Sequence, residues 1–182
     1  MSARALYFLI LVVAAISCVL SDEATAATSE HEVKAAFMYN FSRFVQWPGP
    51  ETDKPFTIGV IGKDPFGPVL DEAVQGKRVN GRELVVRRFS RIESVVGCNI
   101  LFVASSEENN LERILHALRG MPVLTIGEMN QFGERGGMIN LITQGNRIRF
   151  EINVEAIERG GLKVSSDLLR LAKIVTESQP VK

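Results

Sequence analysis

MINLITQGNRIRFEINV, Met138 to Val154, is the stretch that decides how the rest of this chain is read. Its second half alternates with a period of two. Ile148, Phe150, Ile152 and Val154 fall on one face, and Arg147, Arg149, Glu151 and Asn153 on the other. That pattern predicts a strand with one buried face. Met138 to Thr143 is an apolar run of strand length. Gln144-Gly145-Asn146 between the two halves reads as a turn, because Gly and Asn accept positive φ cheaply. The stretch is therefore expected to be a β-hairpin whose second arm turns charge and amide away from the core. Such a row is either a solvated sheet face with cross-strand ion pairs or a surface for a partner or ligand. Side chains aimed from a strand are held more rigidly than side chains on a loop, which favours recognition.

The whole chain has 182 residues, a hydrophobic content of 46% and a formal net charge of zero. These totals fit one α/β domain with a real core, preceded by a shorter N-terminal piece. No basic stripe or arginine-rich run occurs, which argues against nucleic acid as a partner.

Residues 1–26 read as a cleaved signal peptide. Arg4 supplies the positive start, Ala5 to Val19 is almost wholly apolar, and Ala24-Thr25-Ala26 is a small-x-small cleavage signal. The apolar run is short for a membrane span, which needs about 20 residues. Ala15-Ile16-Ser17-Cys18 also resembles a bacterial lipobox, which would anchor the protein by lipid on Cys18. Both readings place the mature protein outside the cytosol, most simply in a periplasm. The domain is then expected over residues 29–177, with a short tail over 178–182. Cys98 is its one cysteine, so no intramolecular disulfide is available.

Ser29-x-x-Glu32 fits a capping box. Val33, Phe37, Phe41 and Phe44-Val45 then recur at helical spacing, with Asn40 set in that aromatic face, and Trp47-Pro48 ends the helix. Strands are predicted at Phe56–Ile61, Leu84–Phe89, Asn99–Ala104 and Pro122–Ile126, with a helix over Pro68–Val74. Another helix is expected from a Ser105-x-x-Glu108 box to Leu118. After the hairpin come a short helical segment over Glu155–Arg159, an extended Leu162–Val164, and a last helix capped by Ser165 or Ser166. That helix is expected to carry Leu168, Leu169, Leu171, Ala172 and Val175 on its apolar side. Alternating strands and helices predict a mostly parallel sheet covered on both faces, with the antiparallel hairpin at an edge open to dimerisation or strand addition.

Recognisable catalytic patterns are missing from the sequence. Neither His31 nor His116 has a Cys, His or carboxylate cluster at metal spacing. There is no G-x-S-x-G elbow. The loop Gly62 to Gly67 follows a strand and precedes a helix, but it is neither a P-loop nor a dinucleotide fingerprint. The loops near Gly62–Gly67 and Gly127 nonetheless leave a small-ligand sensor as the second reading, since open α/β sheets bind ligands at strand ends.

Three stretches resemble the YfiR family of bacterial periplasmic regulators. They are VKAAFMYNFSRFVQWP (Val33–Pro48), FGERGGMINLITQGNRIRFEINVEAIERGGLKVSSDLLRLAKIV (Phe132–Val175), and the intervening GKRVNGRELVVRRF with CNILFVA. The resemblance implies a compact, often dimeric α/β domain that acts without catalysis and without a cofactor. Its best-understood relatives bind the periplasmic sensor domain of an inner-membrane diguanylate cyclase and hold it inactive. An outer-membrane lipoprotein with a peptidoglycan-binding domain removes them, cyclic di-GMP rises, and biofilm follows. Those relatives carry extra cysteines in disulfides, and this chain has only Cys98 in the domain. On this reading Arg149, Glu151, Asn153 and Lys163 are expected to touch the partner. Phe37, Tyr39, Asn40, Phe41, Phe44, Trp47 and Pro48 are expected to do structural work.

Overall fold

The computed structural model describes residues 30–49, 53–145 and 147–178. The expected signal peptide, Cys18 and the Ser29 of the first capping box lie outside these residues. The strands are β1 (Val45–Gln46), β2 (Phe56–Ile61), β3 (Arg78–Val79), β4 (Arg82–Phe89), β5 (Ile100–Val103), β6 (Leu124–Gly127), β7 (Ile139–Gln144), β8 (Arg147–Asn153), β9 (Lys163–Val164) and β10 (Lys173–Val175). The helices are α1 (30–44), α2 (Pro68–Val74), α3 (Leu111–Ala117), α4 (Val154–Arg159) and α5 (Ser166–Leu171). Eight strands form one sheet in the order β10-β8-β7-β6-β5-β2-β4-β3, and β1 with β9 forms a separate antiparallel ribbon.

Pairing is parallel from β4 through β2, β5 and β6 to β7, and antiparallel at β7–β8 and β3–β4. The expected α/β sheet with its antiparallel hairpin is therefore present. The chain enters the sheet at β2, winds to β4 on one side, then crosses to β5 and continues outward. β5 (ILFV) and β6 (LTIG) are buried along their whole length, because a parallel strand is covered on both faces. Alternation along β5 splits its side chains. Ile100 and Phe102 join a core that includes Met38, Phe41 and Leu70, while Leu101 and Val103 join Leu111, Ile114 and Leu118 of the α3 side.

Several local expectations are corrected. The last helix stops at Leu171, and Ala172 turns extended with ψ 154°. Residues 173–175 become β10, which pairs in parallel with β8 in the register Glu151↔Lys173 and Asn153↔Val175. The hairpin therefore does not form the sheet edge, and Val175 packs into a strand rather than a helix. A short helix followed by a strand offers β8 the backbone partners that a longer helix would have withheld. The helix expected from Ser105 begins as a 3-10 segment, Ser105–Asn110, and becomes α-helical only at Leu111. Its serine box makes no side-chain cap, and Ser106 Oγ instead accepts a bond from the Lys63 amide at 2.8 Å. Ser165 does cap α5, accepting from the Leu168 amide.

Glycine is required where the loop after β6 folds back. The Phe132 ring lies 2.5 Å from where a Cβ on Gly127 would stand and 2.2 Å from one on Gly137. Phe132 is fully buried between these two backbone positions, so neither tolerates a side chain without moving it.

Candidate functional site

Helix α1 carries the structural motif. Phe41 is fully buried, with its ring centroid 5.7 Å from Phe37 and 5.3 Å from Phe150 of the hairpin. The tilted and edge-to-face arrangements suit the ring quadrupoles. Lys77 Nζ stands 4.2 Å over the Tyr39 ring. Trp47 packs edge-on against Phe56 at 4.9 Å and donates from Nε1 to the Asn99 carbonyl at 3.1 Å. Asn40 departs from expectation: it is exposed, and Phe44 and Pro48 are exposed too. The helix faces the core through Lys34, Ala35, Met38, Phe41 and Ser42, and Val45 of β1 is buried just beyond it. The buried stripe is rotated from the one the aromatic residues suggested, because small residues approach the sheet as readily as rings do.

The hairpin's polar row is only partly outward. Arg147 and Arg149 are exposed, whereas Glu151 is 5% exposed and Asn153 is fully buried. The cause is β10, which lies against β8 in the half that holds Glu151 and Asn153. Glu151 accepts from Lys173 Nζ at 2.7 Å and from Asn140 Nδ2 at 3.3 Å. Asn153 caps α4, accepting from the Ala156 amide at 2.9 Å, and donates to the Gly133 carbonyl at 2.8 Å. An Asn directly before a helical segment is a cap signal, and it was legible in the sequence.

Lys163 is exposed but distant from the rest of the expected set. It pairs with Gln46 beyond the C-terminal end of α1, while Glu30 at the helix start bonds Thr143 beside the hairpin turn. Fourteen helical steps separate those ends, about 20 Å. The structure therefore leaves Arg149, with Arg147, as the outward part of the row. Truncation should separate the roles. We expect Arg149→Ala to change stability by less than about 0.5 kcal/mol, and Glu151→Ala, which orphans the buried Asn140 amide, to cost about 1–3 kcal/mol. Urea unfolding of each single variant measures the difference.

A cleft of about 510 Å³ opens beside this hairpin. Its lining includes Lys34 from α1, Glu128 and Glu134 from the β6–β7 loop, Asn140 of β7, Glu151 of β8 and Lys173 of β10. The sheet register sets three of these in one row, since Asn140 is opposite Glu151 and Glu151 is opposite Lys173. The buried Lys34 ammonium bonds Glu30 at 2.6 Å and Glu128 at 2.7 Å. Burial pulls the Lys34 pKa down, but the bonds to Glu128 and Glu30 outweigh it, so the pKa is raised overall. Bonds from Lys34 and Thr143 hold the Glu30 carboxyl below its usual range. A lowered carboxyl contributes stability above its unfolded pKa and loses it as pH falls through the folded one. Sequence reasoning missed Lys34, whose only signal was a lone cation at a buried position of an amphipathic helix.

The loops that the sequence nominated for ligands are filled by their own side chains. A Cβ on Gly62 would stand 2.6 Å from Ser106 Oγ. Asp64 pairs with Arg88, which also pairs with Asp71. The Gly127 side is occupied by Phe132. Cys98 is buried, and burial pushes its thiol up to about 12, so it is neutral and a poor nucleophile near pH 7. Among the described residues no group of His, Cys, Asp or Glu is placed to hold a metal ion. Nor, among them, is any helix long and apolar enough to cross a membrane.

The fold and these surfaces define an α/β domain that offers exposed arginines, a strand edge and a polar cleft. Residues 31–173 match the model of the YfiR/HmsC-like family, and the chain belongs to that family. It is a family of periplasmic regulators of diguanylate cyclases, regulatory rather than catalytic. Among solved structures the chain is similar to the ABC domain from Streptococcus pneumonia in complex with L-Trp, with 9% identity and a TM-score of 0.49. That likeness covers 66% of this chain, which spans only 55% of the length of the other.

Proposed function

We propose that this protein is exported to the periplasm by residues 1–26 and binds the periplasmic sensor domain of an inner-membrane diguanylate cyclase. It holds the cyclase in its inactive state, without catalysing a reaction, and so lowers cyclic di-GMP and biofilm formation. An outer-membrane lipoprotein that binds peptidoglycan is the releasing partner. The observation that carries this reading is the family match over residues 31–173. A homodimer belongs to the same reading, and it is supported by β10, which among the described residues is the edge strand of the sheet, with Ile174 50% exposed and Leu171 at the end of α5 72% exposed.

Repression of this kind is a population shift. The regulator must bind the inactive cyclase more tightly than the active one, by about 5.5 kcal/mol to move a 1:99 equilibrium to 99:1. Arg149, exposed on a strand and free of an internal role, is the contact we assign to the partner. Lys163 then belongs to a separate part of the interface, and Glu151 and Asn153 support the surface from inside.

The test is co-expression with a membrane diguanylate cyclase that carries a periplasmic sensor domain, reading cyclic di-GMP in cells and binding to the purified sensor domain. We expect wild type to lower cyclic di-GMP. We expect Arg149→Glu to weaken binding about tenfold or more while leaving the melting temperature nearly unchanged. Unaltered cyclic di-GMP on co-expression, or a protein that fractionates with the cytosol, would overturn the reading.

A further inference from the structure

We propose that Lys34 is a positioning residue for the hairpin arm that carries Arg147 and Arg149, acting through Glu30 and Thr143. The inference rests on the reading that Arg149 meets the sensor domain, and it adds the device that aims it.

The hairpin outruns the rest of the sheet. β6 pairs with β7 only at Ile139 and Asn140, and β10 pairs with β8 only from Glu151 onward. Beyond those points β7 and β8 have only each other, with Ile142 opposite Arg149 and Thr143 opposite Ile148. Thr143, Gln144, Arg147 and Arg149 are exposed there. A ribbon of two strands twists more than a full sheet and is only marginally held by its own pairing. Ile148 packs partly against the core, but apolar contact is non-directional and does not set an angle. Among the described residues one hydrogen bond ties this distal part to another element. Thr143 Oγ1 donates to Glu30 Oε1 at 2.8 Å, across 113 positions of sequence.

Glu30 lies in the first turn of α1 and is itself partly exposed, so something must hold its carboxylate still. Lys34, one turn further on, does so. Its ammonium bonds the same Oε1 at 2.6 Å and reaches Glu128 Oε2 at 2.7 Å. Glu128 follows directly on β6, a strand buried along its whole length. Lys34 is buried, so water competes little for these bonds. Glu128, Lys34, Glu30 and Thr143 therefore form one chain of bonds from the middle of the sheet to the hairpin tip. Without the ammonium, two carboxylates would face each other, and their repulsion would carry Glu30 away from Thr143.

Amide hydrogen exchange, read with affinity for the purified sensor domain, tests the assignment. Lys34→Met keeps the stem and removes the charge. Thr143→Val keeps the shape, removes the donor and leaves both ion pairs of Lys34 in place, so its melting temperature should be nearly unchanged. We expect both variants to speed exchange at Ile142 to Gln144 and Arg147 to Arg149, and Thr143→Val to leave β5 and β6 amides at their wild-type rates. A hairpin that holds its binding orientation about a fifth of the time loses affinity about fivefold. The double variant should bind no more weakly than Lys34→Met alone, because both changes break one chain of bonds. Unchanged hairpin exchange in folded Thr143→Val would overturn the positioning role, and so would faster exchange with wild-type affinity. Additive losses in the double variant would mean that Lys34 and Thr143 act separately, which also overturns it. A wild type that binds no sensor domain would sink the proposed function instead, and the exchange rates would still decide whether Lys34 holds the hairpin.

Discussion

Asn153→Ala will lower the melting temperature by roughly 6–12 °C, the equivalent of about 3 kcal/mol in a domain of this size. Two losses add up. The first is the cap of α4, whose removal typically costs about 1 kcal/mol. The second is the bond to the Gly133 carbonyl, which would be left buried and unpaired at a cost of about 1–3 kcal/mol. Asn153 is fully buried, so water does not replace either partner. Asn153→Asp separates the terms. Aspartate caps a helix as well as asparagine does, but it cannot donate to Gly133. We expect it to be at least as destabilised as alanine, since it also buries a charge. Full stability in the aspartate variant would mean that only the cap matters. Differential scanning calorimetry of the three proteins decides it.

Phe41→Ala should produce the largest loss of all, about 3–5 kcal/mol. The ring is enclosed between Phe37 on its own helix and Phe150 on the hairpin, so deletion leaves a cavity that two rigid elements cannot close. Phe44→Ala, in the same helix but 40% exposed, is the internal control and should cost less than about 1 kcal/mol. Guanidinium unfolding gives both midpoints. Equal losses at the two positions would mean that α1 is held by its ends and not by this face. The same experiment bears on function, because the hairpin that presents Arg149 is braced by Phe41 from behind. A Phe41 variant is expected to lose partner binding in proportion to its unfolded fraction, whereas Arg149→Glu loses it while folded.

Much of the scaffold was open to inspection in one dimension. β2 and the hairpin arms follow from short apolar or alternating runs, and the Ser165 cap from its position before a helix. α1 was legible as a helix from its spacing, but its inward face was misjudged at Asn40 and Phe44, since periodicity locates an apolar stripe only to within a neighbouring position. β10 was hidden inside a helical pattern because Leu168, Leu169, Leu171 and Ala172 satisfy helical spacing without regard to where the sheet needs a strand. The cleft was not legible at all. Its lining comes from α1, the β6–β7 loop, β7, β8 and β10, and no local spacing links Lys34 to Glu128 or Asn140 to Lys173.

The order of letters in this chain determined the hairpin and the direction in which Arg149, Glu151 and Asn153 leave the strand. Alternation in a pleated backbone is a local steric matter, settled within a few residues. Whether that direction leads to water was decided only by the fold. Residues 173–175 return some twenty positions later, lie down along β8, and enclose Glu151 and Asn153 while leaving Arg149 outside. Burial is a property of everything packed around a side chain, and the polar face of a strand stays undefined until its last neighbour arrives.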